Sequence, residues 1–540
     1  MNDTEARRFV IDHFWVAFGA FGLASVLGLY QVLERSGIIG AIQSPAVYFA
    51  SVSTHGVLMA FVLTTFFIMG FGYYVATTSL GMPIWGKAIA RTGFWIALTG
   101  TVLAAIPLLL GKASVLYTFY PPIQAHVLFY LGATLLVVGS WFWCAVMLVM
   151  LAQWKKAHPD SPVPLPMFAT AANAILWLWT SIGVALEALF QLLPWALGIT
   201  DTIDVGLART LFAWTLHPIV YFWLIPAYIA LYVFVPVAAG GRLFSDEFAR
   251  IAFVTIMVFG LPIGFHHLYA DPQQAAGWKL AHGIGTFAVA IPTLLTAFTV
   301  IASLELAGRA RGAKGRLDWI GALPWRKPMV LAAILSLLML VLGGFGGLVN
   351  ASYAMNTMVH NTAWVPGHFH LIFAGTVITM YFAIAYHVWP KLTGRALFSE
   401  ALAAGQLWSW FIGMVILTTP WHILGLLGQP RRISHVTYNT LLTLAWDPYE
   451  LAMIVGGLIL TASAGLFLYN LFKTQTEGAA ISERTETYAE ALKPSAKLPL
   501  LLNGFTVWNR LILVLMVASF GYPIAQFFLM NTFNPSAWGY

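Results

Sequence analysis

The sequence predicts an all-α, polytopic membrane protein. Three observations carry this reading. Of 540 residues, 60% are apolar and only 9% are Asp, Glu, Lys or Arg, against roughly 25% charged in a soluble domain. Mean hydropathy is +0.80. Apolar runs of about 20 residues or more, the length that carries a helix across a bilayer, recur thirteen times with short connections. Ordinary soluble, disordered and fibrous proteins are excluded, because a water-soluble fold of this size needs far more charge to cover its surface. The sequence shows no internal repeat.

In chain order the spans are expected at 14–33, 50–76, 92–111, 124–152, 168–194, 209–236, 251–269, 281–304, 329–348, 364–389, 402–427, 448–472 and 504–530. Before the first, Met1 to His13 is polar and holds Arg7 and Arg8, and no small-residue cleavage pattern follows. The span therefore reads as a retained helix. The second carries His55 near its start. In the sixth, His217 and Tyr221 lie four apart on one face, and Pro218 between them interrupts the backbone ladder. The seventh ends in His266 and His267, with Pro262 and Gly264 placed to loosen it. Thr293, Thr296 and Thr299 recur every third residue along the eighth, toward Ser303 and Glu305. The tenth opens with His368 and His370. Lys473 to Leu502 is rich in Glu, Thr, Lys and Ala and reads as a solvated linker. The expected organisation is a twelve-helix core over 1–473, a cytoplasmic linker over 474–503, and an appended helix with the C-terminus over 504–540.

Charge in the loops sets orientation. With the N-terminus in the cytoplasm, only Arg35, Lys112, Arg209, Lys279, Arg431 and Arg432 of the 27 lysines and arginines lie outside. The basic balance is thus a topogenic signature and implies no nucleic-acid partner. The C-terminus is expected outside, in the plasma membrane of a prokaryote.

This topology brings His55, His217, His266, His267, His368 and His370, from four helices, to one depth in the outer third of the membrane. Ionisable residues there are costly and mark function. The single cysteine, Cys144, allows no disulfide, no C-x-x-C-H haem attachment and no thiolate cluster, so a metal relies on the fourteen histidines. His368 and His370 point about 200° apart on a helix and serve two different groups. His266 and His267 diverge by about 100° and both reach one ion if the helix end is loosened. A lone membrane histidine is more often an interhelical hydrogen-bond partner, which is the reading for His126, His282, His387 and His422. His13, His158 and His435 read as solvated loop residues.

The segments Trp214-Thr-Leu-His-Pro-Ile-Val-Tyr-Phe-Trp, Gly264-Phe-His-His, Val365-Pro-Gly-His-Phe-His and Thr54-His-Gly-Val-Leu-Met resemble subunit I of the haem-copper terminal oxidases, over at least the second to eleventh spans. With the threonine ladder, they resemble its B-family, whose best-known members are the ba-type cytochrome c oxidases. The resemblance implies the subunit I fold and the following roles. His55 and His370 are axial ligands of a low-spin, b-type haem. His368 is the proximal ligand of a high-spin, a-type haem where dioxygen binds. His217, His266 and His267 hold one copper ion (copper B), and Tyr221 is the redox tyrosine, covalently joined to His217. Three imidazoles suit a copper that changes oxidation state and keeps one position open.

The same resemblance implies a proton route from the cytoplasm to Tyr221 through Tyr228, Tyr232, Thr293, Thr296 and Thr299. The bland alternative is that the threonines bond their own helix carbonyls and the tyrosines merely pack. By resemblance Arg431 and Arg432 partner haem propionates, His360 and Asn361 join the outer polar cluster, and Tyr117 lies near the low-spin haem. Asn356 stands where the family pattern has an aspartate, which puts one propionate contact in doubt. Glu187 is the one mid-membrane carboxylate, with no assigned role.

The implied activity is reduction of dioxygen to water, coupled to proton uptake and pumping. Electrons come from cytochrome c through a subunit II with a dinuclear copper centre, alongside a small single-helix subunit and lipid. Nitric oxide reductase, a relative with non-haem iron, is the alternative; it calls for carboxylates near the metal. A redox-inactive transporter with histidine proton relays fits thirteen spans but leaves the common depth of the six histidines unexplained.

Overall fold

The computed structural model describes residues 3–39, 45–436, 438–482, 485–494 and 497–529. Among them regular structure is helical, apart from three isolated β-bridges. Thirteen helices are long and apolar enough to cross a membrane: α1 (Thr4–Arg35), α2 (Pro45–Leu80), α3 (Lys87–Leu109), α4 (Val127–Ala157), α5 (Leu165–Ala196), α6 (Val205–Ala239), α7 (Asp246–Leu268), α8 (Ala276–Ala310), α9 (Pro328–Ala351), α10 (Trp364–Thr393), α11 (Glu400–Leu426), α12 (Leu441–Glu477) and α13 (Thr506–Leu529). Each expected span has its helix.

The first helix starts earlier than expected. Asp3 accepts from the backbone N–H groups of Glu5 and Ala6, an N-cap that draws the polar residues into the helix. Glu5 then pairs with Lys87 and Arg91 of α3. His13 is consequently no solvated loop residue. It is 1% exposed, bonds the Phe9 carbonyl at 2.8 Å and packs on Tyr73 and Phe94.

Small residues set the closest helix pair. Cβ atoms added at Gly100 or Gly132 would strike the facing backbone, so α3 and α4 meet main chain to main chain. At the centre stand α2, α6 and α10, with 83%, 89% and 83% of their spanning windows buried. Those three carry His55, His217, His368 and His370.

Their regularity fails close to those histidines. In α2, a π-helical segment spans Leu58–Leu63 just after His55, and in α10 another begins at His370 and runs to Val377. The α6 ladder breaks at His217 and Pro218, and α7 closes with a tight turn over Phe265–Leu268. Such interruptions collect at functional sites.

The segment after α12 is a docked strap rather than a solvated linker. The helix itself continues to Glu477. Beyond it, the Leu243 N–H bonds the Glu490 carbonyl at 3.0 Å, and the Ala489 N–H bonds the Val233 carbonyl at 2.9 Å. The Glu486 side chain is 1% exposed. It accepts from Lys391 Nζ at 2.6 Å, Tyr74 OH at 2.5 Å and His387 Nε2 at 3.0 Å. Backbone groups that face protein need partners; Val233 of α6 and Leu243 of the loop after it supply them, while Tyr74 of α2 and His387 and Lys391 of α10 hold the carboxylate. Burial works to raise the Glu486 pKa, but His387 and Lys391 outweigh it and hold the carboxyl at about 2.

Helix α13 lies across α5 to α8. Phe505, just before it, stacks on Phe168 with ring centroids 4.6 Å apart, and Phe520 on Trp214 at 5.0 Å. Gln526 Nε2 donates to the Gln273 carbonyl at 3.2 Å.

Candidate metal centre

Two histidine groups form at the end of the bundle where α7 finishes and α10 begins. In the first, ligand atoms of His217, His266 and His267 all lie within 4.8 Å of one another. Three nitrogens on one ion at about 2 Å would lie within ~4 Å of each other, so a shift of under ~1 Å seats a metal. His217 and His266 are buried and His267 is exposed, which leaves one side open. The turn that presents His266 and His267 is pressed onto α6: a Cβ at Gly264 would collide with the Ala213 carbonyl. Pro262 and Gly264 do the loosening expected of them.

Tyr221 OH lies 2.7 Å from His217 Nε2, within one hydrogen bond. That leaves Nδ1 of His217 for a metal. A Cβ at Gly260 would lie 2.7 Å from the Tyr221 ring, so glycine makes that seat.

In the second group, the His55 and His370 rings face each other, 6.2 Å between centroids and 20° from parallel. Two imidazoles on opposite sides of one iron, at ~2 Å per bond and ~1 Å from nitrogen to ring centre, give about 6 Å. Nδ1 of His55 donates to the Ala24 carbonyl at 2.8 Å, and Nδ1 of His370 to the Pro366 carbonyl at 2.7 Å. A carbonyl only accepts, so these bonds fix the tautomer and free Nε2 as the ligand atom.

His368 turns the other way, as its two-residue offset from His370 requires. Its Nδ1 bonds the Gly343 carbonyl of α9 at 2.9 Å. Cβ atoms at Gly346 and Gly347 would lie 3.0 and 3.2 Å from its ring.

A polar cluster beside these groups holds Arg431, Arg432, His360 and Tyr117. Arg432 lies 4.7 Å over the Tyr120 ring, and the buried Nε of Arg431 has no partner among the described residues. Burial and the Arg432 charge bring the Arg431 guanidinium down to about 10. Burial, with the charges of Arg431 and Arg209, takes His360 down to about 4. Tyr117 is pushed up by burial against the pull of both arginines. Crowded cations with an open donor fit anionic carboxylates from a bound group. Asn356 is 4% exposed; its Oδ1 faces His360 Nδ1 at 2.8 Å, and its Nδ2 donates to the Asn350 carbonyl at 2.7 Å.

Along the expected proton route, Tyr232 OH donates to Thr296 Oγ1 at 2.7 Å. Thr293, Thr296 and Thr299 each donate to the carbonyl four residues back, as the bland reading held. Each keeps acceptor capacity, however, and Thr296 uses it. Tyr228 OH has no partner among the described residues, so the direct chain stops there. Glu187 is fully buried, and neither carboxylate oxygen has a partner among the described residues.

His282 makes the interhelical hydrogen bonds expected of it, and together with Thr286, which the sequence reading did not single out, it supports the α7 turn. His282 Nδ1 accepts from the N–H groups of Gly264 and Phe265 at 3.1 and 3.4 Å, and its ring stacks on Phe265 at 4.0 Å. Thr286 donates to the His282 carbonyl at 2.7 Å and lies 3.0 Å from His266 Nδ1. The signal was present: His282 and Thr286 lie four apart on one face of α8.

Comparison with known proteins agrees. The profile of the cytochrome c and quinol oxidase polypeptide I family matches residues 8–459. The chain is 40% identical over 515 residues to cytochrome c oxidase subunit 1 of Thermus thermophilus, covering 92% of this chain and 89% of that protein. It is 27% identical over 480 residues to cytochrome c oxidase subunit 1 of Thermostichus vulcanus, covering 85% and 82%. A chain of a heme-copper terminal oxidase dimer solved by electron cryo-microscopy is similar with a TM-score of 0.92 and 36% identity, over 96% of this chain and 92% of that one. A profile match across most of the chain and a relative at 40% identity along nearly its full length place this protein in the cytochrome c and quinol oxidase polypeptide I family.

Proposed function

We propose that the chain is the catalytic subunit I of a respiratory terminal oxidase that reduces dioxygen to water and couples this to proton uptake and pumping. The observation that carries the reading is the pair of histidine groups side by side: facing imidazoles at 6.2 Å and a three-histidine cluster whose ligand atoms lie within 4.8 Å. His55 and His370 hold a low-spin, b-type haem. His368 holds the high-spin, a-type haem, and His217, His266 and His267 hold copper. When bound, these groups supply four-electron reduction of dioxygen.

The chain's own residues do the rest. Tyr221 holds a proton at its hydroxyl beside His217. Tyr232, Thr296 and the hydroxyls of Thr293 and Thr299 line a route from the cytoplasmic face, with Tyr228 between them and Tyr221. Arg431, Arg432, His360 and Tyr117 hold the haem carboxylates and the low-spin haem edge. Electrons arrive from cytochrome c by way of a subunit II carrying a dinuclear copper centre, because the one cysteine here cannot build it. The N-terminus is cytoplasmic and the C-terminus outside, in a prokaryotic plasma membrane. The nitric oxide reductase reading lacks its carboxylate: among the described residues no Asp or Glu joins the three-histidine group.

The test is composition and spectrum of the purified complex. Two haems and one copper per chain are expected, with His55→Ala losing the low-spin bands and His217→Ala losing copper while keeping them. Iron at the copper position, or no bound haem under ample haem supply, overturns the reading.

A further inference from the structure

A second buried polar group sits at the outer end of the bundle, apart from the two arginines after α11. It joins the last residue of α1 to α12 through Gln429. Arg35 is 6% exposed. Its Nη2 donates to Gln429 Oε1 at 2.6 Å, and Gln429 Nε2 donates onward to Glu450 Oε1 at 2.7 Å. The Arg35 carbonyl accepts from His435 Nδ1 at 3.1 Å.

Charge balance is missing here. The Arg35 Nε has no acceptor among the described residues, and the hydrogen bond from its guanidinium goes to a neutral amide, Gln429. Glu450 is one amide away, and the neighbouring Glu34, itself buried, has an Oε2 without a donor among the described residues. A buried cation with no directly paired counter-ion is costly.

What Arg35 does have is a ring. Its Cζ lies 5.5 Å over Trp421, a cation–π contact. The Trp421 ring in turn lies 4.7 Å from His370, which faces His55. One indole ring thus separates the Arg35 guanidinium from the His370 imidazole.

We propose that Arg35 sets the electron affinity of the low-spin haem, its fixed positive charge held over Trp421 so that it favours the ferrous over the ferric state. This rests on the reading of His55 and His370 as the axial ligands. Reduction adds one electron from the donor, breaks no bond and lowers the net charge of the group by one. A fixed cation nearby stabilises the less positive state, and a water-poor surrounding lets the effect carry. Glu450 opposes it from behind Gln429. This role differs from the carboxylate contacts assigned to Arg431 and Arg432.

The experiment is a spectroelectrochemical titration of the low-spin band in the intact oxidase complex, with Arg35→Gln, Arg35→Lys and Glu450→Gln. Arg35→Gln should lower the reduced-to-oxidised ratio at a fixed potential by tenfold or more, each tenfold being about 59 mV for one electron. Arg35→Lys should stay within about threefold of the unaltered enzyme. Glu450→Gln should raise the ratio, and it decides the matter if Arg35→Gln does not assemble. An unmoved midpoint in Arg35→Gln with an intact bis-imidazole spectrum overturns the proposal. So does an equal fall in the Gln and Lys variants, or a fall in Glu450→Gln. Absence of a bis-imidazole haem in the unaltered enzyme would instead overturn the ligand reading.

Discussion

Each of three rings at the centre is aimed by a hydrogen bond from one nitrogen, which leaves the other free for the proposed ligation. His55, His368 and His370 donate Nδ1–H to the carbonyls of Ala24, Gly343 and Pro366, which fixes both tautomer and ring plane. Tyr221 works differently, since its hydroxyl meets His217 Nε2 directly. Tyr221→Phe keeps the ring and removes the proton at that atom. It should retain both haems and copper while turnover falls by about 100-fold or more, measured as oxygen uptake beside a metal analysis. Normal turnover would remove Tyr221 from the mechanism. Asn356 shows how one side chain sets local logic. Its amide gives His360 a neutral partner, and its Nδ2 serves the Asn350 carbonyl, which a carboxylate could not do.

Among elements, α9 acts as a template for α10. Gly346 and Gly347 leave the space in which the His368 ring lies. Gly346→Ala asks that ring to move by a few tenths of an ångström, whereas Gly346→Val forces it aside. The valine variant should lose the high-spin haem and its carbon monoxide difference spectrum while keeping the low-spin bands. The strap after α12 is the other decisive element. Glu486 is held at about 2, below the unfolded carboxyl range, so its contribution is present above that range and lost as pH falls through about 2. Its size is on the order of 3 kcal/mol. Glu486→Gln should free the strap at neutral pH, read as faster proteolysis between α12 and α13, with metal content unchanged. Thirteen spans and the six histidines were legible because apolar length and helical period report directly on membrane crossing and on facing. The docked strap was not, because its Glu, Thr and Lys residues look solvated until the buried partners of Glu486 are known. Buried His13 was hidden likewise, since an N-cap on Asp3 draws a polar start into a helix. His282 was legible as an interhelical hydrogen-bond partner, but which helices it joins was not, and Thr286 looks ordinary alone.

Across the whole molecule, the most buried helices carry the ligands and the least buried one, α13, closes over them. It is not a passive addition. The His282 Nε2 lies 3.3 Å from the Ser519 carbonyl, and Phe520 meets both His282 and Phe265 edge-on at 5.3 Å. His282 in turn fixes the backbone at Gly264 and Phe265 that presents His266 and His267. A chain ending before residue 498 should therefore keep the low-spin spectrum yet hold copper at least tenfold more weakly, measured by competition with a cuprous chelator. Equal affinity would show that the α7 turn stands without this support.

That closure bears on how the enzyme is made. Every histidine proposed as a ligand precedes α13 in the chain, so a nascent chain owns all these imidazoles while the wall behind two of them is still being synthesised. On the proposed reading, a chain released before α13 would carry every copper ligand yet lack the support that holds two of them in place.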